Sequence, residues 1–202
     1  MIKTGSKLEE TINFILINGP VRGLVLLRNN TPKILQNYGI ENLPMAMQST
    51  HIIENILSEE EAIKHGKQIK KDSHYHGIGK ENFIKAIESL DNPMAIYVWK
   101  KNLYNKYNSD NYIVITNILI NNNETIIVPL LLKKDNIKNI YKLETGELTK
   151  IYINEIKTIY GKKQINNYLK KHIKNGNLIK LWQNKDRDGG GIQSSTDISV
   201  NI

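Results

Sequence analysis

Residues 94–134 read MAIYVWKKNLYNKYNSDNYIVITNILINNNETIIVPLLLKK, and this stretch decides the fold class. Within it MAIYVWK (94–100), NYIVITNILI (111–120) and TIIVPLLLKK (125–134) are dominated by β-branched and aromatic side chains. Such residues fit a pleated, half-buried surface, and the polar segments between them read as turns, so three strands are expected. Asn121, Asn122 and Asn123 connect the second and third as a hairpin, because Asn tolerates the positive φ such turns need. Pro129 has no N–H to give to a ladder, which places the third strand at an edge or a bulge.

Upstream the pattern is helical. KENFIKAIESL (80–90) puts Phe83, Ile84, Ile87 and Leu90 on one stripe between Gly79 and the break at Asn92-Pro93. Ser58 and Glu61 have the spacing of a capping box for a helix through about Gln68. Ser49 or Thr50 caps another through His51 to Leu57, and Thr31-Pro32 opens a short one over KILQNYG (33–39). At the start, KLEETINFILI (7–17) reads as a helix and GLVLLR (23–28) as a strand, with Asn18-Gly19-Pro20 between them. Downstream, LTKIYINEIKTIYG (148–161) holds a further strand or pair. A lysine-rich helix from about Lys162 to Lys174 ends at Asn175-Gly176, and NLIKLWQ (177–183) is the last strand. The expected fold is therefore α+β, with N-terminal helices packed on a C-terminal antiparallel sheet and one late basic helix. Residues 1–30 read as an N-terminal extension, 31–185 as the globular unit and 186–202, with Gly189-Gly190-Gly191, as a flexible tail.

Composition narrows the function classes. The 202 residues contain no cysteine, which excludes disulfides, thiolate zinc sites and a cysteine nucleophile. No apolar run approaches the roughly 18 to 20 residues that span a bilayer, and the start lacks the apolar core of a secretory signal, so a soluble chain is expected. The net charge of +8 is uneven: residues 1–101 contribute +2 and residues 102–202 contribute +6. The basic face should lie in the second half, where Lys162, Lys163, Lys170, Lys171, Lys174, Lys180 and Lys185 gather. Tyr152, Tyr160, Tyr168 and Trp182 among them read either as stacking surfaces for bases or as core.

Histidine is the side chain suited to proton transfer near neutral pH. His51 lies in the first turn of its helix, where the dipole favours a neutral ring, and reads as a base or as a surface capping residue. His76 stands at a loop-to-helix junction, with Gly77 and Gly79 permitting close backbone approach, and is the better catalytic candidate. His74 and His76 could face one side if extended, but no third metal ligand follows at a diagnostic spacing. His65 and His172 sit in charged helices and read as solvated. No Walker loop, GxSxG or HExxH is present. Thr158, Tyr160 and Gly161 end a strand before the basic helix, where a phosphate could be received or a turn simply packed.

A resemblance emerges from these residues. Leu43-Pro44-Met45 followed by His51, His76-Gly77 before a helix ending at Asn92-Pro93, three strands, and Thr158-Ile159-Tyr160-Gly161 before a last helix and strand resemble the C-terminal domain of phage MuF-type proteins, over roughly residues 31–185. That family is placed by similarity with barnase, EndoU, colicin and RelE-like nucleases, small α+β RNase toxins. The family pattern usually has serine where Thr158 stands; the hydroxyl survives. The resemblance implies a metal-independent endoribonuclease without cofactor. In that reading His76 and His51 move protons, Thr158 and Tyr160 hold the phosphate, Lys185 neutralises developing charge, and Lys162, Lys163, Lys170 and Lys171 bind the RNA. It also implies a cognate inhibitor or immunity protein, and action in the cytoplasm of the producing or target cell after delivery within a larger phage or secreted protein. The alternatives are a non-catalytic nucleic-acid-binding or virion-associated module and an ADP-ribosyltransferase, which lacks a convincing arrangement of Arg or His, Ser-Thr and Glu.

Overall fold

The computed structural model describes residues 7–64, 74–99, 109–120, 123–133 and 137–184. Three strands form where the β-branched runs place them: β3 (Ala95–Trp99), β4 (Ser109–Ile120) and β5 (Glu124–Lys133). β3 pairs antiparallel with β4 and β4 with β5, and Asn123 takes φ +67° at the hairpin. The alternation of side chains sends Ile96, Val114, Ile126 and Val128 to one core, and Ala95, Tyr97, Ile113, Ile115 and Ile127 to a second on the other face.

Both faces are therefore covered. Helix α5 (Lys80–Glu88), continued by a single 3-10 turn over Ser89–Asp91, lays Phe83, Ala86, Ile87 and Leu90 into the larger core. Helix α6 (Ile165–Lys174) presses Leu169 into the smaller one, and the last strand β10 (Leu178–Gln183) returns antiparallel to β3. The larger core also takes Ile12 and Ile15 of α1 (Lys7–Asn18), Val25 and Leu27 of β1 (Leu24–Arg28), Leu35 of α2 (Lys33–Gln36), Met45 and Met47 of β2 (Met45–Gln48), and Ile52, Ile53 and Ile56 of α3 (Ser49–Ile56). Much of the segment read as an N-terminal extension thus packs into the shared core. The expected capping box opens α4 (Glu59–Lys64): Ser58 N donates to Glu61 Oε2 at 2.7 Å, and Glu61 N to Ser58 Oγ at 3.2 Å.

The sheet is completed by β6 (Ile137–Tyr141), β7 (Leu148–Tyr152), β8 (Asn154–Ile156) and β9 (Tyr160–Lys162). Its order is β10-β3-β4-β5-β8-β2-β1-β6-β7, with β9 also on β5. The fold is α+β, with helices mostly early, strands mostly late and pairing mostly antiparallel. Two pairs, β1 with β6 and β2 with β8, are parallel. Strands β2 and β6 carry no signal that the sequence reading used.

Three local expectations are corrected. Pro129 is not at an edge: β5 is central, and its far side pairs with β9 through Ile127 and with β8 from Leu130, so the proline stands where the partner changes and no N–H is called for. Thr31 does not cap α2. Its hydroxyl donates to Leu43 O and accepts from Asn154 Nδ2, each at 2.8 Å, and Pro32 takes the cap position. Ser49 does not cap α3 either; Gln48 precedes the helix, and Ser49 Oγ bridges Val21 N and O. Among the described residues no helix is long and apolar enough to cross a membrane. The expected tail 186–202 lies outside the described residues.

Candidate active site

Helix α3 ends without a cap of its own, and the loop leading to α5 supplies one. Four successive amides donate into its last turn: His76 N to Glu54 O, Gly77 N to Leu57 O, Ile78 N to Asn55 O and Gly79 N to Ile56 O, at 2.7 to 3.0 Å. The last carbonyls of a helix lack intrahelical partners, so this docking is strongly favoured. It requires φ +60° at Gly77, where a Cβ would stand 3.1 Å from Ser58 Cβ. The backbone of His76 is thus fixed while its side chain stays exposed at the end of α3.

The β8–β9 connection meets the same end. Thr158 Oγ1 donates to Oδ1 of buried Asn55 at 2.9 Å. Two residues on, the ring of Tyr160 stacks on that of His76, with centroids 5.2 Å apart and planes 26° apart. β9 can enter so closely because residue 161 is glycine: a Cβ there would come within 2.5 Å of Glu124 Oε2 and 2.8 Å of Ile120 Cδ1. Residues about 80 positions apart in sequence therefore share one surface. Asn55, which sequence reasoning missed, is the link. Nothing in the local sequence marks it, because its partner is 103 residues away.

The electrostatics suit proton transfer. Loss of water from the stacked face of His76, together with the neighbouring His74, lowers its pKa below the ordinary 6.5, and Glu54 opposes the shift. The ring is therefore neutral at pH 7. Burial raises the pKa of Tyr160, so its phenol keeps its proton and remains a donor. His51 lies in the first turn of α3, four residues before Asn55 and hence on the same helix face. Its Nδ1 is buried and has no hydrogen-bond partner among the described residues.

The other expected residues scatter. Lys162 Nζ lies 4.7 Å from the centroid of the Tyr168 ring, Lys163 pairs with Glu124 at 3.5 Å, and Lys170 and Lys171 are exposed on α6. His172 is not solvated: it is wedged edge-on between Tyr168 and Trp99, because α6 turns this side to the smaller core. Trp182 packs against the larger core, and Tyr152 stands half-exposed on β7 at the opposite end of the sheet order from β10. Lys185 and His65 lie outside the described residues.

The Asn55–Thr158 bond gives a test of the site's scaffold. Thr158→Val keeps the shape and removes the hydroxyl, leaving the buried Asn55 oxygen without this donor. A loss of about 1–3 kcal/mol in urea unfolding is expected. Unchanged stability would mean that Thr158 is not the tie between β8–β9 and α3.

A family model described as the phage MuF C-terminal domain matches residues 67–188, more than half of the chain. Comparison with curated proteins and with solved structures gave no match.

Proposed function

From a chain that belongs to the phage MuF C-terminal domain family and brings His76, Tyr160 and Thr158 to one end of α3, we propose a metal-independent endoribonuclease. The observation that carries this reading is the stack of His76 on Tyr160, which sets a neutral imidazole beside a protonated phenol. The proposal includes the wider placement among barnase, EndoU, colicin and RelE-like RNases.

In the proposed reaction His76 takes the proton of a ribose 2′-OH as its oxygen attacks the adjacent phosphorus. The bond from 2′-oxygen to phosphorus forms, the bond from phosphorus to the 5′-oxygen breaks, and the departing oxygen receives a proton, with His51 assigned the second proton-transfer role. Because the nucleophile belongs to the substrate, the protein supplies proton transfer and stabilisation of charge on the phosphate. Tyr160 donates its phenolic proton to a phosphate oxygen. Thr158 contributes a hydroxyl after turning from Asn55, and otherwise positions the loop. Lys185 is assigned the cationic role on the family resemblance. Lys162, Lys163, Lys170 and Lys171 attract the RNA backbone.

Incubation with total RNA in EDTA followed by end-group analysis tests this directly. Cleavage leaving 2′,3′-cyclic phosphate and 5′-hydroxyl ends is expected; a divalent-metal requirement or intact RNA overturns the reading. A base must be unprotonated, so with its lowered pKa His76 should place the acid limb of kcat/KM below pH 6.5, the rate falling as pH drops through that value. A rate that begins to fall above pH 7 would take His76 out of the base role. A binding module is the second reading, favoured by the phage family and by the lysines of α6, and intact RNA with retained RNA affinity would select it.

A further inference from the structure

The rings do not stop at Tyr160. Tyr160 and Tyr168 both pack against the smaller core, and Lys162, two residues after Tyr160 on β9, reaches the Tyr168 ring. The His172 ring meets Tyr168 at 4.5 Å and Trp99 at 4.9 Å in T-shaped contacts, which hold the Tyr168 ring in place. The face of Tyr168 is covered differently: Lys162 Nζ stands 4.7 Å from its centroid. Lys171, three residues on along α6, is exposed beside the same stripe. No acidic residue lies within α6, and among the described residues Lys163 pairs with Glu124 while Lys162 and Lys171 have no carboxylate partner.

An aromatic face screened by an ammonium, continuous with the candidate active site and bordered by cations, has a definite complement. A base can replace the ammonium on the ring, and the freed ammonium can take the phosphate of the same nucleotide, so both groups keep a partner. Paired bases in an A-form duplex present no free face for such an exchange, whereas unstacked bases of a single strand do. Resting on the ribonuclease reading for its position, we infer that Tyr168 with Lys162 and Lys171 forms a stacking subsite for a base of single-stranded RNA next to the cleaved phosphate. The Tyr160–Tyr168 track then selects unpaired RNA as the substrate class.

The test uses the full chain and a fluorescent single-stranded 2′-O-methyl RNA, which lacks the attacking hydroxyl and stays intact. Binding is read by anisotropy. Tyr168→Leu keeps apolar volume against the smaller core and Tyr168→Phe keeps the ring; thermal unfolding of each confirms the fold. Tyr168→Leu should weaken binding about tenfold while Tyr168→Phe binds as the native chain does. The penalty should vanish on a ribose-phosphate strand without bases, and the duplex form of the probe should bind more weakly. Lys162→Gln should reduce the slope of log affinity against log salt by about 0.7, the share of one phosphate contact to a single strand.

Equal affinity of Tyr168→Leu and the native chain, a penalty that persists on the base-free strand, or preference for duplex each overturns the subsite. Tyr168-dependent binding by a chain that leaves natural RNA intact keeps the subsite and overturns the ribonuclease. Cleavage that needs His76, with binding indifferent to Tyr168, does the reverse.

Discussion

If the proposed ribonuclease reading holds, His76→Ala should lower RNA cleavage by a factor on the order of 10² or more and leave the fold unchanged, because a general acid or base typically contributes about 10² to 10⁴. The side chain is exposed, so no core volume is lost. What anchors the segment is main chain: the amides of residues 76–79 still donate into the end of α3 after the ring is gone. The stack on Tyr160 disappears, at a cost of order 0.5–1.5 kcal/mol, small beside a total stability of about 5–15 kcal/mol. Chemistry and folding are thus separable at this position. The measurement is the cleavage rate of a single-stranded RNA beside a urea unfolding curve. A cleavage rate within about threefold of the native chain, with the fold intact, removes His76 from the reaction. Tyr160→Phe refines the result: it keeps the stack and deletes the phenolic donor, so a loss there assigns the phosphate contact to the hydroxyl and not to the ring.

The strands that the sequence reveals are those with continuous apolar runs, whether the partner is near, as for β4 and β5, or distant, as for β10 on β3. β3, β4 and β5 read clearly because alternating β-branched residues serve two cores and the chain turns directly from β4 into β5. The stripe on α5 and the Ser58–Glu61 box are legible for the same reason, since their periodicity and spacing are complete within one element. β2 is not. MAMQ has no β-branched residue and runs without a turn into α3, and its neighbour β8 pairs Met45 with Asn154 across more than a hundred residues. Pro129 misleads because the rule for prolines assumes a strand with one continuous neighbour on each side, and β5 has two in succession.

The same division applies to the site. His76 is conspicuous from its loop, its glycines and the chemistry of imidazole. Asn55 is silent, being one of five polar residues in the eight of α3, and its partner arrives from β8–β9. His172 misleads through its neighbours in sequence: Lys170, Lys171 and Lys174 point outward, while position 172 follows Tyr168 by one turn and shares its inward side. Charge runs describe a helix as a whole, and burial is decided face by face.

Phe83→Ala is expected to cost about 3–5 kcal/mol, the largest effect on stability of any substitution considered. Phe83 is fully buried on the central stripe of α5, within the larger core that takes Ile52 and Ile56 from α3 and Ile96, Val114 and Val128 from the sheet. Truncation removes the transfer free energy of the ring and leaves a cavity that a helix held at both ends closes poorly. One end is held by Gly79, whose amide donates to Ile56 O and whose carbonyl accepts from Phe83 N. The other is held by Arg28, whose guanidinium donates to Ile87 O at 3.0 Å and to both carboxylate oxygens of Asp91 at 2.8 Å. For a chain of this length each kcal/mol moves the melting temperature by about 2–4 °C, so a fall of roughly 6 to 20 °C follows. The urea midpoint should drop with an unchanged slope if the native surface is otherwise kept. Because α5 and the loop at residues 76–79 share Gly79, the variant should also lose cleavage at temperatures well below its new melting point, as the frame around His76 loosens before the whole fold does. A change in stability below about 1 kcal/mol would mean that α5 is not docked on the sheet through this ring.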